Sequence, residues 1–178
     1  MKKIILAFIL TLLGICAYSQ DNWINKEVGN NIFVKFPSSP NYTYKSQEKS
    51  GIFGAKTENC LFMAMIQFGI IPYYSEFIKL QVSDQGKVLN QLLDNYIKGR
   101  SLMTNKEILS KSIKLGTFTG RELTYGAVNP VTGEVGQRFS KVFVVNDKIY
   151  SFECWYLNNS TQSENEKNMF LNSIMNNR

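Results

Sequence analysis

Ile32, Val34 and Phe36 alternate with Asn31, Phe33 and Lys35, the period of two that marks a strand with one face toward a core. A shorter extended piece over 23–28 precedes it, across the turn signal Gly29-Asn30, and Pro37-Ser38-Ser39-Pro40 ends it. A polar, tyrosine-bearing strand over 42–49 suits a sheet edge, and Gly51 opens the next unit. Over 55–68, Cys60, Phe62, Ala64, Ile66 and Phe68 share one side while Leu61, Met63 and Met65 share the other. Such a strand is expected to be covered on both faces. The period then changes. Val88, Leu89, Leu92, Leu93, Tyr96 and Ile97 recur at helical spacing behind a cap at Ser83 or Asp84, and Gly99 is expected to end the helix.

The second half returns to period two. Strands are expected over 108–115, 121–127, 137–145 and 148–157. Gly116 and Gly120 are expected to bracket a bend, residues 129–133 to form a loop, and Asn146-Asp147 to close a hairpin. Ser163 with Glu166 three residues later reads as a capping box, ahead of Met169, Phe170, Ile174 and Met175 on the apolar side of a final helix. Antiparallel strands around an internal helix, closed by a final one, predict an α+β sandwich: an antiparallel β-sheet flanked by helices.

The N-terminus carries a different pattern. Met1-Lys2-Lys3 is basic, residues 4–13 are apolar apart from Thr11, and Ala17-Tyr18-Ser19 places small residues at the −3 and −1 positions of a cleavage site. These are the three regions of a secretory signal peptide, and the apolar run is shorter than the about 20 residues of a membrane span. Residues 1–19 are therefore expected to form a removed signal helix, leaving a single domain over 20–178 that is periplasmic or extracellular. Lipid anchoring at Cys16 is the less favoured reading, because Ile15 is too large for the site before a lipidated cysteine. No later segment reaches transmembrane length.

Removal of the signal changes the charge. Lys2 and Lys3 leave with it, so 18 of the 20 basic residues face 14 acidic ones, a formal +4 instead of +6. The basic residues are scattered, which argues against nucleic acid as a partner. The chain has no histidine, which excludes Ser-His-Asp and Cys-His catalysis and the HExxH zinc site; no metal and no cofactor are expected. Cys60 and Cys154 would remain in an oxidising compartment, and both a disulfide and a pair of buried thiols fit their apolar settings.

Three stretches carry a family resemblance. They are Asn31-Ile32-Phe33-Val34-Lys35-Phe36-Pro37-Ser38-Ser39-Pro40; Ile113-Lys114-Leu115-Gly116 leading to Gly120-Arg121-Glu122-Leu123; and residues 138–150 with Phe170-Leu171-Asn172-Ser173-Ile174. In order and spacing they resemble small exported bacterial proteins with a PsbP-like fold, over essentially the whole chain after the signal. The resemblance implies an antiparallel sheet flanked by helices and no single shared activity, with most members acting as binding or accessory modules.

Two groups of residues stand out as candidate sites. Arg121 and Glu122 beside Gly120 offer a guanidinium and a carboxylate that suit either a carboxylate ligand or a cross-strand ion pair, with Arg138 and Glu153 on strands expected close by. The ion pair is the preferred reading. Residues 70–82, broken at Pro72, carry Tyr73, Tyr74 and Phe77, which form a binding patch if exposed and a lid on the sheet if folded back. The leading functional reading is a non-enzymatic exported module that binds a protein or other component of the cell envelope. The alternative is a small-molecule or lipid carrier with a pocket between sheet and helix. A histidine-free hydrolase using Glu122 and Glu153 ranks third.

Overall fold

Strand pairing resolves the alternating runs into two antiparallel sheets. The computed structural model describes residues 22–104, 107–128, 133 and 135–177; the expected signal segment, Cys16 and residues 129–132 of the expected loop lie outside them. Among the described residues the elements are β1 (Ile24–Gly29), β2 (Ile32–Phe36), β3 (Asn41–Lys45), β4 (Ser50–Lys56), β5 (Cys60–Phe68), α1 (Tyr74–Phe77), α2 (Val82–Thr104), β6 (Leu109–Leu115), β7 (Phe118–Val128), β8 (Val135–Val145), β9 (Lys148–Tyr156), α3 (Thr161–Asn172) and β10 (Met175–Asn176). The larger sheet has the order β3-β4-β5-β9-β8-β7-β6 and the smaller one β1-β2-β10. The fold class is α+β, as the alternation predicts.

Each face of the large sheet has its own core. On one, Cys60, Phe62, Ala64 and Ile66 of β5 join Phe143, Val145, Tyr150, Phe152 and Cys154 beneath the small sheet and α3. Phe170 of α3 is fully buried there, with ring centroids 5.3 Å from Phe36 and 5.2 Å from Phe62. On the other face α2 lays Val88, Leu89, Leu92, Leu93, Tyr96 and Ile97 over Leu123, Val142, Val144 and Ile149. This second core draws on β7, β8 and β9. Ile52, Leu61, Met63 and Met65 on the same side of β4 and β5 stay half-buried, so β5 is covered fully on one side only, against expectation.

Several boundaries differ from the sequence reading, each for a local reason. Residues 55–68 are split by a turn at Thr57, whose Oγ1 accepts from Cys60 N at 3.0 Å and Asn59 N at 3.1 Å. Helix α2 passes through Gly99 to Thr104, because a single glycine on an exposed helix face weakens a helix without ending it. Gly116, at φ +58, makes the β6–β7 turn, whereas Gly120 sits inside β7 opposite Phe143. The cap of α3 is Ser160, whose Oγ accepts from Ser163 N at 3.1 Å. Glu166 does not cap the helix; it accepts from Thr57 Oγ1 at 2.6 Å, Asn59 Nδ2 at 2.9 Å and Gln162 Nε2 at 3.1 Å, fastening the first turns of α3 to the β4–β5 turn. Met175 lies beyond α3 and pairs with Phe33 of β2.

Candidate functional site

Alternation along β9 sends Ile149, Ser151, Glu153 and Trp155 toward α2, and the β8 register places Ser140 opposite Glu153 and Arg138 opposite Trp155. Glu153 is the centre of a buried polar cluster, with a side chain 3 % exposed. Its Oε1 is 2.6 Å from Arg100 Nη2 of α2, and its Oε2 is 3.3 Å from Arg138 Nη1. Ser151 Oγ donates to Oε1 at 3.1 Å and Trp155 Nε1 to Oε2 at 3.3 Å. The Arg138 guanidinium lies over Trp155, 3.1 Å from its centroid. Tyr96 OH donates to Ser151 at 3.1 Å and accepts from Arg100 Nη2 at 2.7 Å, while Tyr125 OH accepts from Arg138 Nη1 at 3.3 Å. Two guanidinium groups thus share one carboxylate where water is scarce, and the charge-assisted bonds hold helix to sheet.

The titration of the cluster follows from burial. Desolvation, helped by the Glu153 charge, pushes Tyr96 up to about 12. Tyr125 moves in the same direction for the same two reasons. Burial pulls the Arg100 guanidinium down, but Glu153 and Tyr96 outweigh it, and the net shift is upward. On the opposite face, burial with Asp147 and Glu27 raises Tyr150 to about 12. These phenols are held protonated, the form that donates a hydrogen bond and does not attack.

An alkaline instability follows. A tyrosine near pKa 10 in the unfolded chain and about 12 when folded binds its proton more tightly in the native state. Its contribution to stability is therefore whole below about pH 10 and is lost as pH rises through about 12. Urea midpoints should fall between about pH 10 and 12, and native phenolate absorbance should lag that of the denatured chain. Coincident absorbance curves would contradict this.

The other charged candidates do not join the cluster. Arg121 reaches α2, donating through Nη2 to Asn90 Oδ1 at 2.9 Å and Asp94 Oδ1 at 3.2 Å. Glu122 points through the sheet to the opposite side, in register with Lys111 and Lys141. Lys141 Nζ donates to Leu171 O at 3.0 Å and Asn172 Oδ1 at 3.1 Å; burial lowers its pKa, with Glu122 acting against that. Glu122 and Glu153 therefore lie on opposite faces of one sheet and cannot flank one glycosidic bond, which removes the geometry the hydrolase reading requires. Between α2 and the sheet, Leu93, Leu123, Val142 and Val144 fill the space a carrier would need; on the opposite face a cleft of about 240 Å³ lies between the sheet and the end of α3, lined by Ile113, Glu122, Lys141, Phe143 and Leu171 among others. Arg100 and Tyr96 escape the sequence reading as site residues, although they stand four apart on the apolar stripe of α2 once that helix passes Gly99.

Residues 70–82 combine both alternatives set out for them. Ile71 and Phe77 are buried against the second core, as a lid would be. Tyr74 is half-buried, its ring stacked on Phe77 at 5.9 Å. Tyr73 is 84 % exposed and held in left-handed backbone at φ 53, uncommon for a bulky residue. The backbone N–H groups of Glu76 and Phe77 bond its carbonyl at 2.8 and 3.1 Å, and Gln85 Nε2 pins Leu80 O at 2.9 Å. Between α1 and α2 this leaves a cleft of about 270 Å³, lined by Ile71, Pro72, Tyr73, Phe77, Leu80, Val88 and Leu92, with Glu76 contributing the one charge. Ile78 and Val82 are exposed beside it.

Cys60 and Cys154 are free thiols with no exposure. They stand diagonally on neighbouring strands, Cys60 opposite Tyr156 and Cys154 opposite Phe62. A hydrogen bond with Cys60, reinforced by burial, pushes the Cys154 thiol up.

No described helix is long and apolar enough to cross a membrane. The sequence matches no family model and no curated protein. Among solved structures, the chain is similar to LpqN of Mycobacterium tuberculosis, a protein involved in cell envelope biogenesis, at 15 % identity and a TM-score of 0.47 over 90 % of this chain and 95 % of that one.

Proposed function

We propose that this chain is an exported, non-enzymatic binding module of the cell envelope, and that the cleft between α1 and α2 takes an apolar anchor from a protein partner. Residues 1–19 act as a removed export signal and residues 20–178 as one domain. What supports the PsbP-like resemblance is the antiparallel sheet with helices on its faces. The observation that carries the binding reading is the apolar cleft beneath an exposed tyrosine on strained backbone. Strain of this kind persists only where surrounding structure imposes it, and it gathers at functional sites. At about 270 Å³ the cleft lies at the small end of the roughly 300–1,000 Å³ range of ligand pockets. It suits one or two side chains, with Tyr73 as an aromatic anchor at the rim.

Co-purification from the host envelope tests this, with wild type compared to a Tyr73→Ala, Leu80→Glu variant. Both residues are exposed, so folding should be unchanged. A partner at fixed stoichiometry should accompany the wild type and be lost from the variant, and the intact mass should begin at Gln20. A partner retained equally by both would overturn the assignment. An acyl-chain adduct in native mass spectrometry would put a lipid in the protein's place.

A further inference from the structure

The large sheet ends in two edge strands, β3 and β6. Natural proteins guard such edges with charges inside the strand, prolines or bulges, because the outer row of N–H and C=O groups can pair with another chain. Strand β6 carries Lys111 and Lys114 within its span. Strand β3 reads Asn41-Tyr42-Thr43-Tyr44-Lys45, runs in unbroken register with β4, holds no proline, and bears a charge at its last residue alone. All five side chains are exposed.

We propose that β3 pairs antiparallel with β3 of a second copy of this chain, about a two-fold axis at Thr43. The strand complements itself in that register. Thr43 meets the partner's Thr43, Tyr42 meets the partner's Tyr44, and Lys45 meets the partner's Asn41 instead of another lysine. Threonine and aromatic pairs directly across antiparallel strands are stabilising, and like charges are kept apart. Tyr42 and Tyr44 are already set in place within each copy. Tyr42 packs on Phe53 at 4.6 Å between centroids, and Tyr44 meets Phe68 edge-on at 6.3 Å. The two-fold joins these pairs into one aromatic row. On the opposite side of the sheet a cleft of about 390 Å³, lined by Asn41, Thr43, Ile52, Gly54 and Leu61 among others, runs out to β3. The same axis brings two such clefts together as one trough. No residue of β3 lines the α1–α2 cleft, and the pairing is independent of the function proposed for that cleft.

Sedimentation equilibrium of the exported chain should show twice the chain mass. Thr43→Lys sets two ammonium groups face to face at the axis and should halve that mass, leaving the thermal melt monitored by circular dichroism that of an intact fold. Thr43→Cys should cross-link to itself under mild oxidation, with the bond located at 43–43 by tandem mass spectrometry; Cys60 and Cys154 are buried and do not compete. A monomer at every concentration, a Thr43→Lys variant that still dimerises, or a Thr43→Cys variant that fails to cross-link would each overturn the proposal.

Discussion

Glu153→Gln should destabilise the protein by about 3–5 kcal/mol, the cost of removing one partner from a buried ion cluster. The substitution keeps the shape of the side chain and deletes the charge. Arg100 and Arg138, whose side chains are 16 % and 9 % exposed, then face each other across a neutral amide. Neither has another carboxylate within ion-pair distance among the described residues. The burial of Arg138 is already imperfectly satisfied, since its Nε lacks a hydrogen-bond partner. The guanidinium would have to leave its place over Trp155 to reach water. Urea titration measures the loss. Replacing Arg100, Arg138 and Glu153 together by apolar residues should recover most of it, because desolvation offsets much of what a buried pair gains. A loss below about 1 kcal/mol for Glu153→Gln would mean that water reaches the cluster, as it reaches surface pairs.

Gly120→Ala should cost about 3 kcal/mol or more, at the upper end for overpacking. A Cβ at this position lies inside van der Waals contact of both the Val142 carbonyl and the Phe143 ring. The ring can turn, but the carbonyl belongs to the β7–β8 ladder and cannot retreat without breaking register. Gly116→Ala provides the contrast. There the backbone is left-handed at φ +58 with nothing within 4 Å, so the expected penalty is conformational alone, about 1 kcal/mol. Denaturant midpoints of the two variants separate close packing from backbone strain. Equal effects would show that β7 and β8 are farther apart than described.

The two glycines illustrate what a sequence can and cannot disclose. Both read as turn residues, because composition marks a glycine without saying whether it supplies a positive φ or removes a Cβ. Only the tertiary approach of Phe143 tells them apart. Periodicity is more informative for faces than for boundaries. The alternation of Tyr150, Phe152 and Cys154 against Ile149, Glu153 and Trp155 assigns the two sides of β9, and the nearness of Arg138 to Glu153 follows from the expected hairpin. The third member, Arg100, stays hidden because Gly99 reads as a helix end, though an uncrowded glycine on a solvated face only weakens a helix. Arg121 and Glu122, adjacent in sequence, read as one site, yet neighbours in a strand face opposite ways. The small sheet is invisible as a unit, since its third strand is two residues long and is paired by the fold.

Photocross-linking in living host cells asks most directly whether a partner binds at the α1–α2 cleft. A benzophenone side chain replaces Tyr73 and, as control, Lys98 on the solvent side of α2. One dominant adduct is expected at 73, absent at 98 and lost when Leu80→Glu is added. An adduct that persists with Leu80→Glu, or labelling at 98 with none at 73, would contradict partner binding at the cleft.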